Sequence, residues 1–421
     1  MLHLLGLGGI ELTEQYLRWD ELSRGTPPEY LVTREWWLAL KLQRLMGRQD
    51  IGFKDGQGRP FTLGSVEFFA EAVHRLDRGE TEAAPHPRSL LNQLAVRAWR
   101  EEAIASVQLD GIEIDPATAQ NLLRSGRAAE NSAEQAVLNC HQTLARIREI
   151  CLQPLTLALL ADLQQRLTAR TGGKTGLAGR LRQASPAGPA DNAAAADGPP
   201  PAEELPARLK ALLAFANGRT PGRFVHPLLR AAALHFWVLH DQPFAEGNGR
   251  LARALYYWSV LHAGYAGFER LSLAEVFRDN PAAYRRAFGE VAQDENDLLH
   301  FVAPIFEAIA KAQRRAADEA QRMEATARET AALSGAMGEL NTRQRLLVAR
   351  ALQEPGFRRT LQEHARDHNL VRQTARNDFT ALVQRGWFEE AKSGRALAFF
   401  PAPDLAARLQ APANSPAENG I

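Results

Sequence analysis

Glu246, Asn248, Arg250 and Arg253 fall within one short stretch, Pro243-Phe244-Ala245-Glu246-Gly247-Asn248-Gly249-Arg250-Leu251-Ala252-Arg253. The spacing suits polyphosphate chemistry. Arg250 and Arg253, three apart, share a helix face. Guanidinium groups grip phosphate oxygens with a fork that lysine lacks. Glu246 supplies a carboxylate suited to a hard cation such as Mg²⁺. Gly247 and Gly249 make a tight loop whose amides, with the positive end of a helix, cradle an anion. Two elements must position this loop: a helical run from Val225 to His240 before it, and another from Leu251 to Ala263 after it. Without the charged residues, two glycines would mean only a turn between helices.

The stretch resembles the signature of the Fic family, His-Pro-Phe-x-Asp/Glu-Gly-Asn-Gly-Arg-x-x-Arg, and matches it without a break from Pro243 to Arg253. The position of the family's catalytic histidine holds Gln242. His235-Phe236 upstream resembles a pair the family places ahead of the motif, so the register stands. The resemblance implies transfer of AMP from ATP to a Ser, Thr or Tyr hydroxyl of a protein target, with Mg²⁺ or Mn²⁺. Glu246 would hold the metal. Phe244, Gly247, Asn248, Gly249, Arg250 and Arg253 would bind the nucleotide. An amide is no general base, and general-base help is typically worth about a hundredfold to ten-thousandfold. His240 is the one nearby histidine, but helical spacing turns it about 200° from Gln242.

Ser106-Val107-Gln108-Leu109-Asp110-Gly111 is similar to the same family's inhibitory-helix motif, Ser/Thr-x-x-x-Glu-Gly/Asn. The resemblance implies that Ser106, Asp110 and Gly111 close the site. Asp110 would reach Arg253 and keep ATP from a productive pose, though it is one methylene shorter than glutamate. Gly179-Arg180-Leu181-Arg182 resembles the flap, a small β-hairpin that aligns the target by strand addition. The alternative is a basic surface loop.

The flanking sequence is mainly α. Residues 1–95 read as a peripheral helical region, with Trp19, Trp36 and Trp37 as core and Gly56–Gly64 as a loop. A helix from Ser89 ends at Gly111, a usual C-terminal stop. The expected Fic domain runs from 96 to 332, with the inhibitory helix at about 96–111 and a mobile flap and linker at 172–201. Within it, Ser185–Pro201 has almost no large apolar residue and cannot bury enough surface to fold. Net charge is +1 over 421 residues, which speaks against a polyanion-coating protein. Two cysteines, Cys140 and Cys151, are too few for a disulfide framework, so a reducing cytoplasm is expected. The start lacks a basic n-region, and no apolar run is long enough to span a bilayer.

Residues 336–403 change character. Helical runs at 343–352, 361–368 and 373–385 precede two strand-like runs around Ser393-Gly394, the pattern of a winged helix-turn-helix. Thr374-Ala375-Arg376-Asn377-Asp378 resembles a recognition helix, and basic residues outnumber acidic ones by eleven to six between 340 and 403. DNA binding, homodimerisation and protein docking all stay open; 404–421 is a tail. The glutamine leaves three readings. Transfer persists slowly, nucleotide is bound without turnover by a regulator acting through the winged helix, or Gln242 replaces a natural histidine.

Overall fold

The computed structural model describes residues 17–410 except 29, 65–69, 72, 78–85, 173–176, 185–197, 337, 339, 355–356, 369 and 394–395. Most of the linker expectation, the turn glycine Gly394 and the end of the tail therefore lie outside the described residues. The chain forms two compact units, 1–317 and 318–421.

The first unit is built on α1 (Trp19–Leu22), α2 (Thr33–Met46), β1 (Gln49–Lys54), β2 (Pro60–Leu63), α3 (Arg88–Leu109), α4 (Pro116–Ser125), α5 (Ser132–Ile150), α6 (Leu157–Thr168) and α7 (Leu205–Ala216). It continues with α8 (Pro227–Asp241), α9 (Asn248–His262), α10 (Leu273–Asp279), α11 (Pro281–Gln293) and the start of α12 (Leu299–Ala336). Helices α8 and α9 form its centre. Leu228, Leu234, Trp237 and Val238 of α8, and Leu251, Leu255, Trp258 and Val260 of α9, are buried almost completely. A helix apolar on every side must be wrapped by others, and α3, α5 and α6 lie in the same core cluster.

Two expectations for the N-terminal region are corrected. Residues 60–63 are a strand, not part of a loop. β1 and β2 pair antiparallel, with Gln49 opposite Leu63 and Lys54 opposite Pro60. Ile51, Phe53, Phe61 and Leu63 face the interior, a period-2 pattern typical of a half-buried strand. Nor is this segment peripheral, because Phe53 stacks on Trp237 of α8 at 4.3 Å. Of the tryptophans, Trp36 is buried, whereas Trp19 is 42% exposed and meets Trp37 edge-on.

The second unit contains α13 (Thr342–Gln353), β3 (Arg359–Thr360), α14 (Leu361–Asp367), α15 (Arg372–Gln384), β4 (Phe388–Ser393), β5 (Ala396–Pro401) and α16 (Leu405–Gln410). Its sheet is antiparallel in the order β3-β5-β4. Phe379 stacks on Phe399 at 4.1 Å, so α15 is fastened to β5. Asp378, also on α15, is buried. It accepts hydrogen bonds from Arg343 Nε at 2.8 Å and Asn341 Nδ2 at 2.8 Å, and His364 Nε2 lies 3.0 Å away. Burial pushes the Asp378 pKa up, but these bonds and the Arg343 charge outweigh it and hold the carboxyl below its usual value.

Candidate active site

Helix α8 ends at Gln242, whose amide bonds to Val238 O at 3.0 Å and whose φ of 41° is left-handed. Such a backbone is uncommon outside glycine and clusters at functional sites. The loop then turns over Asn248, which caps it from inside. Asn248 Oδ1 accepts from Phe244 N at 3.1 Å, and Nδ2 donates to Phe244 O at 2.8 Å. Gly247, at φ 73°, is the N-cap of α9. A side chain there would also strike Thr168 at 2.7 Å. The main-chain amides at the start of α9 thus converge at a helix N-terminus, a ready anion site.

Arg250 and Arg253 are 5% and 4% exposed. Arg250 donates through Nη1 to Leu167 O at 2.8 Å and through Nε to Asp110 Oδ2 at 3.0 Å. Arg253 donates to Asp110 Oδ1 at 2.5 Å, to Ser106 Oγ at 2.6 Å and to Ser106 O at 2.7 Å. Asp110 therefore spans both arginines. Its reach suffices because it sits at the C-cap of α3, directly over α9, where Gly249 leaves the room. A Cβ on Gly249 would lie 2.3 Å from Asp110 Oδ1. The chain leaves α3 through Gly111 at φ 81°. Burial works against the charged form of Arg253, but the Asp110 charge outweighs it and raises the guanidinium pKa.

Leu109, Asp110, Leu239, Gln242, Asn248, Gly249, Arg253, Tyr284 and Arg285 line a cavity of about 30 Å³ beside this pair. That is room for one or two waters.

His240 does not line this cavity. It is buried among the rings of Phe53, Phe61 and Phe236, with Nδ1 3.0 Å from Asp241 Oδ1. The helical turn carries it away from Gln242, and Asp241 is fixed in place by Arg208 at 2.9 and 2.7 Å. His240 is therefore no stand-in for a base at residue 242.

The segment around Arg182 runs beside the loop. Leu181 and Phe244 form an antiparallel bridge, and Arg182 N donates to Pro243 O at 3.0 Å. Arg182 is buried and serves the end of α8, donating to Gln242 O at 2.7 Å and Asp241 O at 3.1 Å. Gly179 has φ 74°, and Arg180 is exposed.

Two residues here escaped the sequence reading. Gln164 Nε2 donates to Glu246 O at 3.0 Å, and its Oε1 accepts from Gly179 N. It thus joins the loop to the Arg182 segment. The available signal was a polar residue inside the apolar stripe Leu160, Leu163, Leu167. Tyr284 lies 2.7 Å from His235 Nε2 and carried no signal. Burial raises its pKa to about 12 despite the nearby Arg253 charge. His235 is held neutral, its pKa well below the usual value through burial and the Arg253 charge.

Among the described residues no group of three His, Cys, Asp or Glu side chains could enclose a metal ion. The half-exposed Glu246 is nevertheless consistent with Mg²⁺, which is commonly held by one or two carboxylates plus substrate phosphates. Cys140 and Cys151 are free; burial raises the Cys140 thiol pKa to about 12. Among the described residues no helix is long and apolar enough to cross a membrane.

A glycine loop thus opens a buried helix, with two buried arginines beneath it. Residues 154–259 match the model of the Fic/DOC family, and the chain carries a Fic domain. Proteins of this family generally bind a nucleotide and a metal ion and modify protein targets. Similar solved structures include a Fic-domain signalling protein from Bacteroides thetaiotaomicron VPI-5482, 19% identical, covering 59% of this chain and 97% of that one at a TM-score of 0.49. A Fic family protein from Desulfovibrio desulfuricans G20 is 18% identical, covering 80% and 95%, also at 0.49. No curated protein matches the chain.

Proposed function

We propose that this chain binds ATP and transfers AMP to a side-chain hydroxyl of a protein target, slowly because Gln242 supplies no base, and that Asp110 holds the site closed. The observation that carries the reading is the Asp110 carboxylate lodged between Arg250 and Arg253, in a space that only Gly249 leaves open. An anion already sits where phosphates would bind. Once Asp110 leaves, Arg253 and Arg250 are free for the terminal phosphates and the amides of 247–249 for the oxygens nearer the ribose. The target hydroxyl gives its proton to solvent as its oxygen bonds to the α-phosphorus, the bond from that phosphorus to the bridging oxygen breaks, and pyrophosphate departs into the arginine charge. Glu246 would hold Mg²⁺, which supplies further charge neutralisation when bound. The segment around Arg182, tied to Pro243, would present the target as an added strand. Incubation with labelled ATP, Mg²⁺ and lysate tests this. Label should appear with Asp110→Ala and rise about a hundredfold or more when Gln242→His is added. No label in any of these variants removes the reading.

A second reading is favoured by one observation in the second unit. Residues 336–403 would form a winged helix that binds DNA, making the protein a nucleotide-sensing regulator. Asp378, the one acid on α15, is buried and neutralised, so Arg372, Gln373, Arg376, Asn377 and Thr380 form an exposed face without negative charge. A salt-dependent shift of duplex DNA, weakened by Arg376→Ala, would support it. No shift at low salt would dismiss it.

A further inference from the structure

We infer that Gln242 is a ligand of the nucleotide: its carboxamide donates a hydrogen bond to a phosphate oxygen, a binding role in place of a proton-moving one. The inference rests on the nucleotide reading above. Gln242 is 9% exposed and lines the cavity with Asn248, Gly249 and Arg253. Its main chain is fully engaged, N to Val238 O at 3.0 Å and O from Arg182 Nε at 2.7 Å. Its side-chain amide, by contrast, makes no hydrogen bond among the described residues. The amide is not among the buried side-chain atoms without a partner, so it meets water at the cavity wall, and a ligand oxygen can replace that water. The backbone is pinned on both sides, by the helix end and by Pro243, so the amide is held at the cavity wall.

The neighbours specify the ligand. Once Asp110 is withdrawn, Arg253 and the exposed Arg285 leave the wall cationic, and the helix start adds amide donors. An uncharged donor placed among them suits a phosphate oxygen. Such a donor does not titrate, so its contribution is the same at pH 5.5 and pH 8.5. A histidine at 242 would change charge across that range.

The test uses the full chain carrying Asp110→Ala and calorimetric titration with Mg-ATP and with pyrophosphate. Gln242→Leu removes the donor at similar volume. It should raise Kd about tenfold or more, the worth of one charge-assisted hydrogen bond. Gln242→Asn, which keeps an amide one methylene short, should fall between. Without ligand, Gln242→Leu should melt no lower than its parent, since it removes an amide that bonds only water in the cavity; a purely structural role predicts a lower melting temperature. Equal affinity for Gln242 and Gln242→Leu, with binding still lost on Arg250→Ala, overturns the inference and leaves the nucleotide reading standing. Failure of the Asp110→Ala parent to bind either ligand, with Arg250→Ala changing nothing, defeats both.

Discussion

Removing the Asp110 carboxylate should destabilise the first unit and make it responsive to polyphosphate. Asp110 is the shared counter-ion of two guanidiniums that are almost fully buried, at 3.0 Å from Arg250 and 2.5 Å from Arg253. Breaking a buried pair by deleting one partner costs about 3–5 kcal/mol, because the other charge is left uncompensated. Here two charges are left, though Ser106 and Leu167 O retain hydrogen bonds to them. At about 2–4 °C per kcal/mol for a unit of this size, Asp110→Ala should melt roughly 6–20 °C lower. Pyrophosphate or Mg-ATP should return most of that loss, since an anion again fills the space. The parent protein should respond far less, since ligand must first displace Asp110 from Arg250 and Arg253. Asp110→Asn separates charge from bulk: it should be destabilised but still respond poorly. Differential scanning fluorimetry with and without pyrophosphate reads all three. If Asp110→Ala melts with the parent and pyrophosphate shifts both equally, the bridge is not what closes this site.

Three further outcomes follow from the same geometry. His235 is buried neutral beside Arg253, with a folded pKa well below its unfolded one. The unfolded chain therefore takes up a proton first, so stability present above about pH 6.5 falls as pH drops below it. His235→Gln should flatten that slope between pH 7 and 5 in urea melts. Gln164→Ala cuts the link between Glu246 O and Gly179 N. Limited proteolysis should then cleave faster around 177–184, and the unit should lose about 1–3 kcal/mol for the unsatisfied groups. In the second unit Asp378→Ala should lower stability at neutral pH by about 1–3 kcal/mol, since it removes the shared acceptor of Asn341, the one-third-exposed Arg343 and the buried His364. The parent unit itself should weaken as pH falls below the carboxylate range, since the folded Asp378 pKa is depressed.

The chain of residues from Pro243 to Arg253 announced by itself a tight loop opening a helix, because two glycines there interrupt two long apolar runs. Helix periods gave α8, α9 and the flanking helices to within a few residues, since their apolar faces repeat over many turns. The hairpin at 49–63 was hidden because Gly56 and Gly58 dominated a short segment whose strands are only six and four residues long. Which residues meet at the site was decided by folding alone. Asp110 is 140 positions from Arg250, and Gln164 is 82 from Glu246; no local pattern couples such distances. The type of side chain was written in the sequence. That Asp110 grips Arg250 as well as Arg253, that His240 turns into a nest of phenylalanines, and that Gln242 lines the cavity depend on how helices stack. Stacking is set by the summed packing of the whole core, which no single stretch contains.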